Sequence, residues 1–256
     1  MKLDINKVIK SVKKASEIFK EGFEKSDKRI DLKGKKDLVT EYDIKIEEFL
    51  KKEFEGYGYT IIAEESQKGK FCDSVIIDPI DGTTNYAHKL PHCCISVGVY
   101  ENKEAKLGVV YNPILDELFY AVKNEGAYKN DVRIKVSTND FFQRALISTG
   151  FPYSSGDNLS DLNWVISRLS KILPNCQDIR RLGSAALDLC YVAEGVYEGF
   201  YEINLKPWDV AAGILIVLEA GGMVTNDKNE KYAFDDKCVV ASNGYIHEKF
   251  VNLLNS

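Results

Sequence analysis

The stretch Val75-Ile76-Ile77-Asp78-Pro79-Ile80-Asp81-Gly82-Thr83-Thr84-Asn85 decides how this chain is read. A β-branched, apolar run forms a strand and delivers two carboxylates at its C-terminal end. Pro79 lacks an N–H and is expected to take the chain out of the sheet. Gly82 then permits a tight turn in which the N–H groups of Gly82, Thr83 and Thr84 face one point. Carboxylates that hold a hard cation, beside clustered N–H groups, suit a metal-bound phosphate. Taken alone, Asp-Gly is also ordinary turn chemistry, and either aspartate is accounted for as a turn cap.

Two further features add acid. Glu64-Glu65 ends its own short strand, Thr60-Ile61-Ile62-Ala63. Trp208-Asp209 opens the otherwise apolar helix that runs from Val210 to Leu218. Asp209 alone is explained as a first-turn acid that complements the helix dipole. Together, Glu64, Asp78, Asp81 and Asp209 make four carboxylates, enough for two or three divalent ions. At Gly183-Ser184-Ala185-Ala186 small residues begin another helix, whose free N–H groups suit either capping by Ser184 or a ligand.

Outward from these residues the chain divides in two. Residues 1–137 read as two helices against a mostly antiparallel sheet. Ile5, Val8, Ile9, Val12, Ala15, Phe19 and Phe23 fall at helical spacing. A loop with Lys33, Lys35 and Lys36 follows. A second helix starts near Thr40, with Asp43 completing a capping box and Ile44, Phe49 and Leu50 on its apolar face. Strands are expected at Cys93–Tyr100, Leu107–Tyr111 and Leu118–Val122. Residues 138–256 alternate strand and helix, which predicts α/β layering. Pro207 starts one helix there and Gly221-Gly222 ends it.

The 256 residues carry 34 Lys+Arg against 39 Asp+Glu, a net charge of −5. That balance argues against non-specific nucleic-acid binding, which needs a basic surface. No apolar run reaches the roughly 20 residues of a membrane span, and acids and lysines interrupt the first 19 residues, unlike a signal peptide. The six cysteines form no C-x-x-C pair and read as reduced thiols, so a cytoplasmic protein is expected.

In this order and spacing the motifs resemble the inositol monophosphatase family of lithium-sensitive, magnesium-dependent phosphatases. Asp78 to Asn85 carry the signature. Asp37-Leu38-Val39-Thr40-x-x-Asp43, Glu64-Glu65-Ser66, Gly183-Ser184-Ala185-Ala186, Tyr201-Glu202 and Trp208-Asp209-Val210-Ala211 support it. The resemblance spans nearly the whole chain and implies the layered αβαβα sandwich, α+β to α/β in class, shared with fructose bisphosphatases. It implies that Glu64, Asp78 and the Ile80 carbonyl hold one magnesium, and Asp78, Asp81 and Asp209 a second, with a weaker third on Glu64. It places the N–H groups of Gly82 and Thr83 on phosphate, and Asp81, Ala185, Glu202 and Asp209 on the alcohol. Thr83 and Asp43, with Glu64, activate the attacking water. Asp43 is therefore drawn both to its own helix cap and to Thr83. A small phosphorylated polyol or sugar and a homodimeric partner are implied as well. Arg180 and Arg181 are left between a second phosphate and a subunit contact. The rivals are fructose bisphosphate and nucleotide 3′-phosphates as substrates, or a non-catalytic interaction protein on the same fold. A haloacid-dehalogenase site needs Asp-x-Asp, and Asp78 and Asp81 are three apart.

Overall fold

A computed structural model describes residues 3–32, 38–66 and 71–256. Helix α1 (Ile5–Glu24) is capped by Asp4, whose carboxylate accepts the Lys7 N–H at 2.9 Å. Its buried stripe holds Val8, Val12, Ala15 and Phe19, as the spacing predicts. Strands β1 (Ile30–Leu32) and β2 (Leu38–Thr40) form a small antiparallel pair where the sequence suggests only loop. Lys33, Lys35 and Lys36 lie outside the described residues.

Helix α2 (Glu41–Phe54) starts at Thr40 with the expected capping box. Its buried face differs from expectation. Tyr42, Ile46, Leu50 and Phe54 point inward at steps of four, whereas Ile44 is 47% exposed. Tyr42 sets this rotation: its ring packs in the core beneath α1 and its hydroxyl donates to Glu21 at 3.2 Å.

Strands β3 (Thr60–Ala63) and β4 (Ser74–Asp81) pair in parallel, and the short helix α3 (Thr83–Ala87) follows. Then comes a meander: β5 (Cys94–Glu101), β6 (Glu104–Asn112), β7 (Glu117–Val122), β8 (Gly126–Lys129) and β9 (Val132–Ile134). These seven strands lie in chain order from β3 to β9. β8 and β9 are absent from the sequence reading because four and three residues carry too little periodicity. Pro79 does not end β4. The ladder to β5 runs from Asp78↔Ser96 to Asp81↔Cys94 with a register shift between them. The extra residue makes a bulge, where the missing proline N–H leaves no gap in the ladder.

The second half supplies β10 (Leu146–Thr149), α4 (Leu159–Ile172), β11 (Asp178–Arg180), α5 (Ala185–Glu194), β12 (Gly199–Ile203), α6 (Pro207–Glu219), β13 (Met223–Thr225), β14 (Cys238–Ser242) and α7 (His247–Asn255). Its five-stranded sheet has the order β11-β10-β12-β14-β13, with β10 parallel to both neighbours and β14 antiparallel to both of its own. The short β13 is a further strand the sequence reading omits.

Three apolar layers bind the elements. Val12, Phe19 and Leu50 of α1 and α2 cover Val75, Val97 and Val109 of the large sheet. Its other face, with Val110 and Phe119, packs on Leu187, Leu189, Val210 and Ile216 of α5 and α6, which also cover Phe200 and Val239 of the small sheet. Ile172 of α4 and Phe250 of α7 close the far side over Ile147 and Val240. The result is the layered αβαβα sandwich. Because α5 and α6 are covered on both sides, they are apolar nearly all round. Gly108 lets α6 come close: a Cβ there would sit 2.8 Å from the Ala212 carbonyl oxygen.

Candidate active site

Parallel pairing of β3 with β4 brings Glu64 and the aspartates of β4 to the same sheet end. Asp78 and Asp81 come from the two sides of the bulge, and Asp209 from the first turn of α6. One carboxylate oxygen from each of Asp78, Asp81 and Asp209 lies within 4.8 Å of those of the others. Glu64 sits beside them, its carboxyl sharing a hydrogen bond with Asp78 and its N–H donating to the Ile77 carbonyl at 3.2 Å. The structure thus brings together all four acids that the sequence singles out.

Burial makes this cluster resist ionisation. Desolvation first, then the charges of Glu64, Asp81 and Asp209, hold Asp78 well above the ordinary carboxylate range. Asp209 is raised by burial and by Asp81, while the Lys206 N–H, donating at 2.6 Å, opposes the shift. Asp209 therefore caps its own helix with one oxygen and serves the cluster with the carboxyl group as a whole. Burial pushes Asp81 up to about 6 against donors that favour its ionised form. Ser184 Oγ donates to its Oδ2 at 2.5 Å, Ala186 N–H at 2.8 Å, and the Cys94 thiol lies 3.8 Å away. The N-terminus of α5 thus points at Asp81. An all-oxygen, buried, mutually repelling donor set fits a small hard divalent cation far better than zinc.

Asp43 resolves its two readings by using both oxygens. Oδ2 accepts the Thr40 N–H at 2.8 Å and the Thr40 hydroxyl at 2.5 Å, completing the cap. Oδ1 faces the Thr83 hydroxyl at 3.4 Å. That hydroxyl is closer to the Ile80 carbonyl, at 3.0 Å, so its single proton has two competing acceptors. Burial, opposed by the two Thr40 donors, pushes Asp43 up to about 7.

Gly82 adopts φ 87°, and its position is crowded: a Cβ would meet the carbonyl oxygens of His92 and Gly183 at 3.0 and 3.1 Å. Only glycine fits that left-handed turn without strain. A cleft of about 740 Å³ opens in front of the cluster, lined by Glu64, Asp81, Gly82, Ala185, Glu202 and Asp209. Glu202 is held up at about 8 by burial, with Arg181 opposing, and packs against Gly150, where any side chain would collide with its carboxylate. Arg181 lies over the Phe151 ring at 5.2 Å on the cleft rim. Arg180 points elsewhere, to the exposed Asp178.

Three supports are not apparent from sequence. Ser184 reads as a helix cap at a helix start that also suits a ligand, yet its hydroxyl crosses to Asp81. Buried Glu47 accepts the Glu65 N–H at 2.7 Å and so fixes the turn that carries Glu64. Asn85 joins α3 to the second half by donating to the His92 and Leu182 carbonyls at 2.7 Å each. Its place in the signature stretch was the one available signal.

Fold and site together define a class: a five-layered α/β scaffold with a buried carboxylate cage at a cleft. The inositol monophosphatase family model matches residues 4–256. Inositol monophosphatase 2 of Solanum lycopersicum is 39% identical over 261 residues, covering 98% of this chain and 97% of its own. Nus factor SuhB of Pasteurella multocida is 40% identical over 228 residues, covering 86% and 84%. The crystal structure of the extragenic suppressor protein suhB from Bartonella henselae superposes with a TM-score of 0.92 at 35% identity, covering 98% of each chain. The chain belongs to the inositol monophosphatase family.

Proposed function

We propose that the protein is a magnesium-dependent phosphatase that releases phosphate from a small monoester, inositol monophosphate foremost. The observation that carries this reading is the buried convergence of Asp78, Asp81 and Asp209 at a cleft, with Glu64 bonded to Asp78. Glu64, Asp78, the Ile80 carbonyl, Asp81 and Asp209 would hold two magnesium ions, and Glu64 with water a third. Bound there, divalent cations neutralise the dianionic ester, acidify a water and stabilise the leaving alkoxide.

The chain's own residues do the rest. The N–H groups of Gly82 and Thr83 hold phosphate oxygens in place. Asp43 and Thr83 form a relay, with Glu64, that orients the attacking water and takes its proton. Glu202, Asp81 and the backbone at Ala185 receive the hydroxyls of the alcohol. With neither histidine nor cysteine among these groups, direct attack by water is favoured over a covalent phospho-enzyme. Lithium, entering at the second magnesium position, inhibits at millimolar concentration. A homodimer in the cytoplasm is the expected setting.

Phosphate release from a panel of monoesters, with and without magnesium, tests the proposal. Turnover that needs magnesium and is lost in Asp81→Asn supports it, and no release from any ester overturns it. A second reading, an interaction partner in transcription, is favoured by the relative named Nus factor SuhB. A partner bound equally by the native protein and by Asp81→Asn would support that role. The acidic net charge of −5 points such a contact toward protein rather than nucleic acid.

A further inference from the structure

Asp161 lies in the first turn of α4, behind the cleft wall, and is only 3% exposed. A first-turn acid ordinarily serves its own helix. Asp161 instead gathers donors from three other places. Its Oδ2 accepts Ser154 Oγ at 2.7 Å, Asn204 Nδ2 at 2.8 Å and, from the helix cap, Asn158 Nδ2 at 3.1 Å. Its Oδ1 accepts Lys237 Nζ at 2.9 Å. Ser154, Asn204 and Lys237 all line the cleft, whereas Asp161 does not.

The geometry follows from the strands. The segment that leaves β10 brings Phe151, Tyr153 and Ser154 to the lining of the cleft, which Trp208 and Asp209 share. Asn204 follows β12 two residues after Glu202, in the left-handed region at φ 65°, and its N–H donates to the Lys237 carbonyl at 2.8 Å. Asp161 joins all three pieces, so it sets where the aromatic wall stands relative to Glu202. It also pairs with Lys237, a half-exposed cation of the cleft lining, beside which Ser154 and Asn204 present a hydroxyl and an amide.

We propose that Asp161 is a positioning residue that selects the alcohol of the substrate, favouring an uncharged polyol by holding the 151–158 wall and masking the charge of Lys237. This rests on the phosphatase reading above. Losing the carboxylate charge should unmask Lys237 and loosen the wall together. The preference would then move away from a neutral polyol monophosphate and toward a sugar that carries a second phosphate at its far end.

The test compares inositol 1-phosphate and fructose 1,6-bisphosphate as substrates of the native protein and of Asp161→Asn. The expected result is a fall of about tenfold in the ratio of the two kcat/KM values, carried by KM. Hydrogen exchange across 151–158 should quicken in the variant, a readout that needs no turnover. Asp161→Asn/Lys237→Gln should lose the gain on the bisphosphate. An unchanged ratio, or a gain that survives removal of Lys237, overturns the proposal. If Asp161→Asn does not fold, Lys237→Gln alone answers it: lower kcat/KM on the bisphosphate in that variant refutes the masking. Failure of the native protein to hydrolyse either ester would fall on the phosphatase reading, and unaltered exchange across 151–158 would then still refute this one.

Discussion

Replacing Asp209 by asparagine should make the metal-free protein more stable and the magnesium-loaded protein less so. The cluster holds three carboxylates with oxygens within 4.8 Å of one another. At that distance two full charges repel by about 3 kcal/mol at an effective dielectric near 20. Partial protonation relieves part of this. Burial adds its own cost: it raises Asp81 from 3.8 to about 6, roughly 3 kcal/mol at neutral pH. The folded state keeps its proton more tightly than the unfolded chain does. Stability is therefore whole below pH 3.8 and is lost as pH rises through about 6. An asparagine keeps the oxygen that accepts the Lys206 N–H, so the α6 cap survives. The expected gain without metal is about 1–2 kcal/mol, or about 3–6 °C in Tm at this chain length. It should shrink as pH falls toward 4. At a hundred times its Kd, magnesium should add about 2.7 kcal/mol to the native protein and much less to the variant. Thermal melts in chelator and in saturating magnesium, at two pH values, read all of this. A variant that melts below the native protein in chelator, or gains as much from magnesium, would refute the reasoning and leave Asp209 a helix cap.

Three more outcomes follow from single contacts. Ser184→Ala removes the 2.5 Å donor to Asp81, so the magnesium concentration that half-stabilises the protein should rise about tenfold; an unchanged midpoint in a melt titration would confine Ser184 to capping. Asp43→Asn keeps an acceptor for Thr40 but weakens the base toward Thr83. Initial rates should drop at least about tenfold while Tm moves little, and the reverse pattern would return Asp43 to its cap. Gly82→Ala forces a side chain into φ 87° against two carbonyl oxygens and should cost about 1–2 kcal/mol of stability, read as a lower urea midpoint, with an unshifted midpoint counting against the crowding.

What could be read from sequence was what is local. The apolar run before Asp78 and the Pro207 start and Gly221-Gly222 stop of α6 each announce themselves within a few residues. Those signals placed the acids at element ends, and parallel pairing of β3 with β4 did the rest. The rotation of α2 was not local: Tyr42 wins the inward position over Ile44 through its contacts with α1. Nor was the bulge at Pro79, which exists only against the register of β5. Ser184 and Asp81 are 103 residues apart, and Ser184 had a complete local explanation as a cap. Asp161 and Lys237 are separated by 76 residues, and nothing local to either announces the pair.

The acidic cage works against the apolar packing of α5 and α6 on the large sheet. Glu64, Asp78 and Asp81 belong to the first half, and Asp209, Ser184 and Glu202 to the second. An uncompensated cluster pushes the halves apart, since each carboxylate repels its neighbours across the seam. The N-terminus of α5 is aimed at this seam and neutralises Asp81 from the opposite half. Asn85 stitches the same boundary beside it. Any cation bound in the cage would reverse the sign of the remaining repulsion and draw both halves onto one ion. Binding free energy there is therefore folding free energy as well, and occupancy should tighten α5 and α6, the two helices buried between the sheets, before it changes anything at the surface.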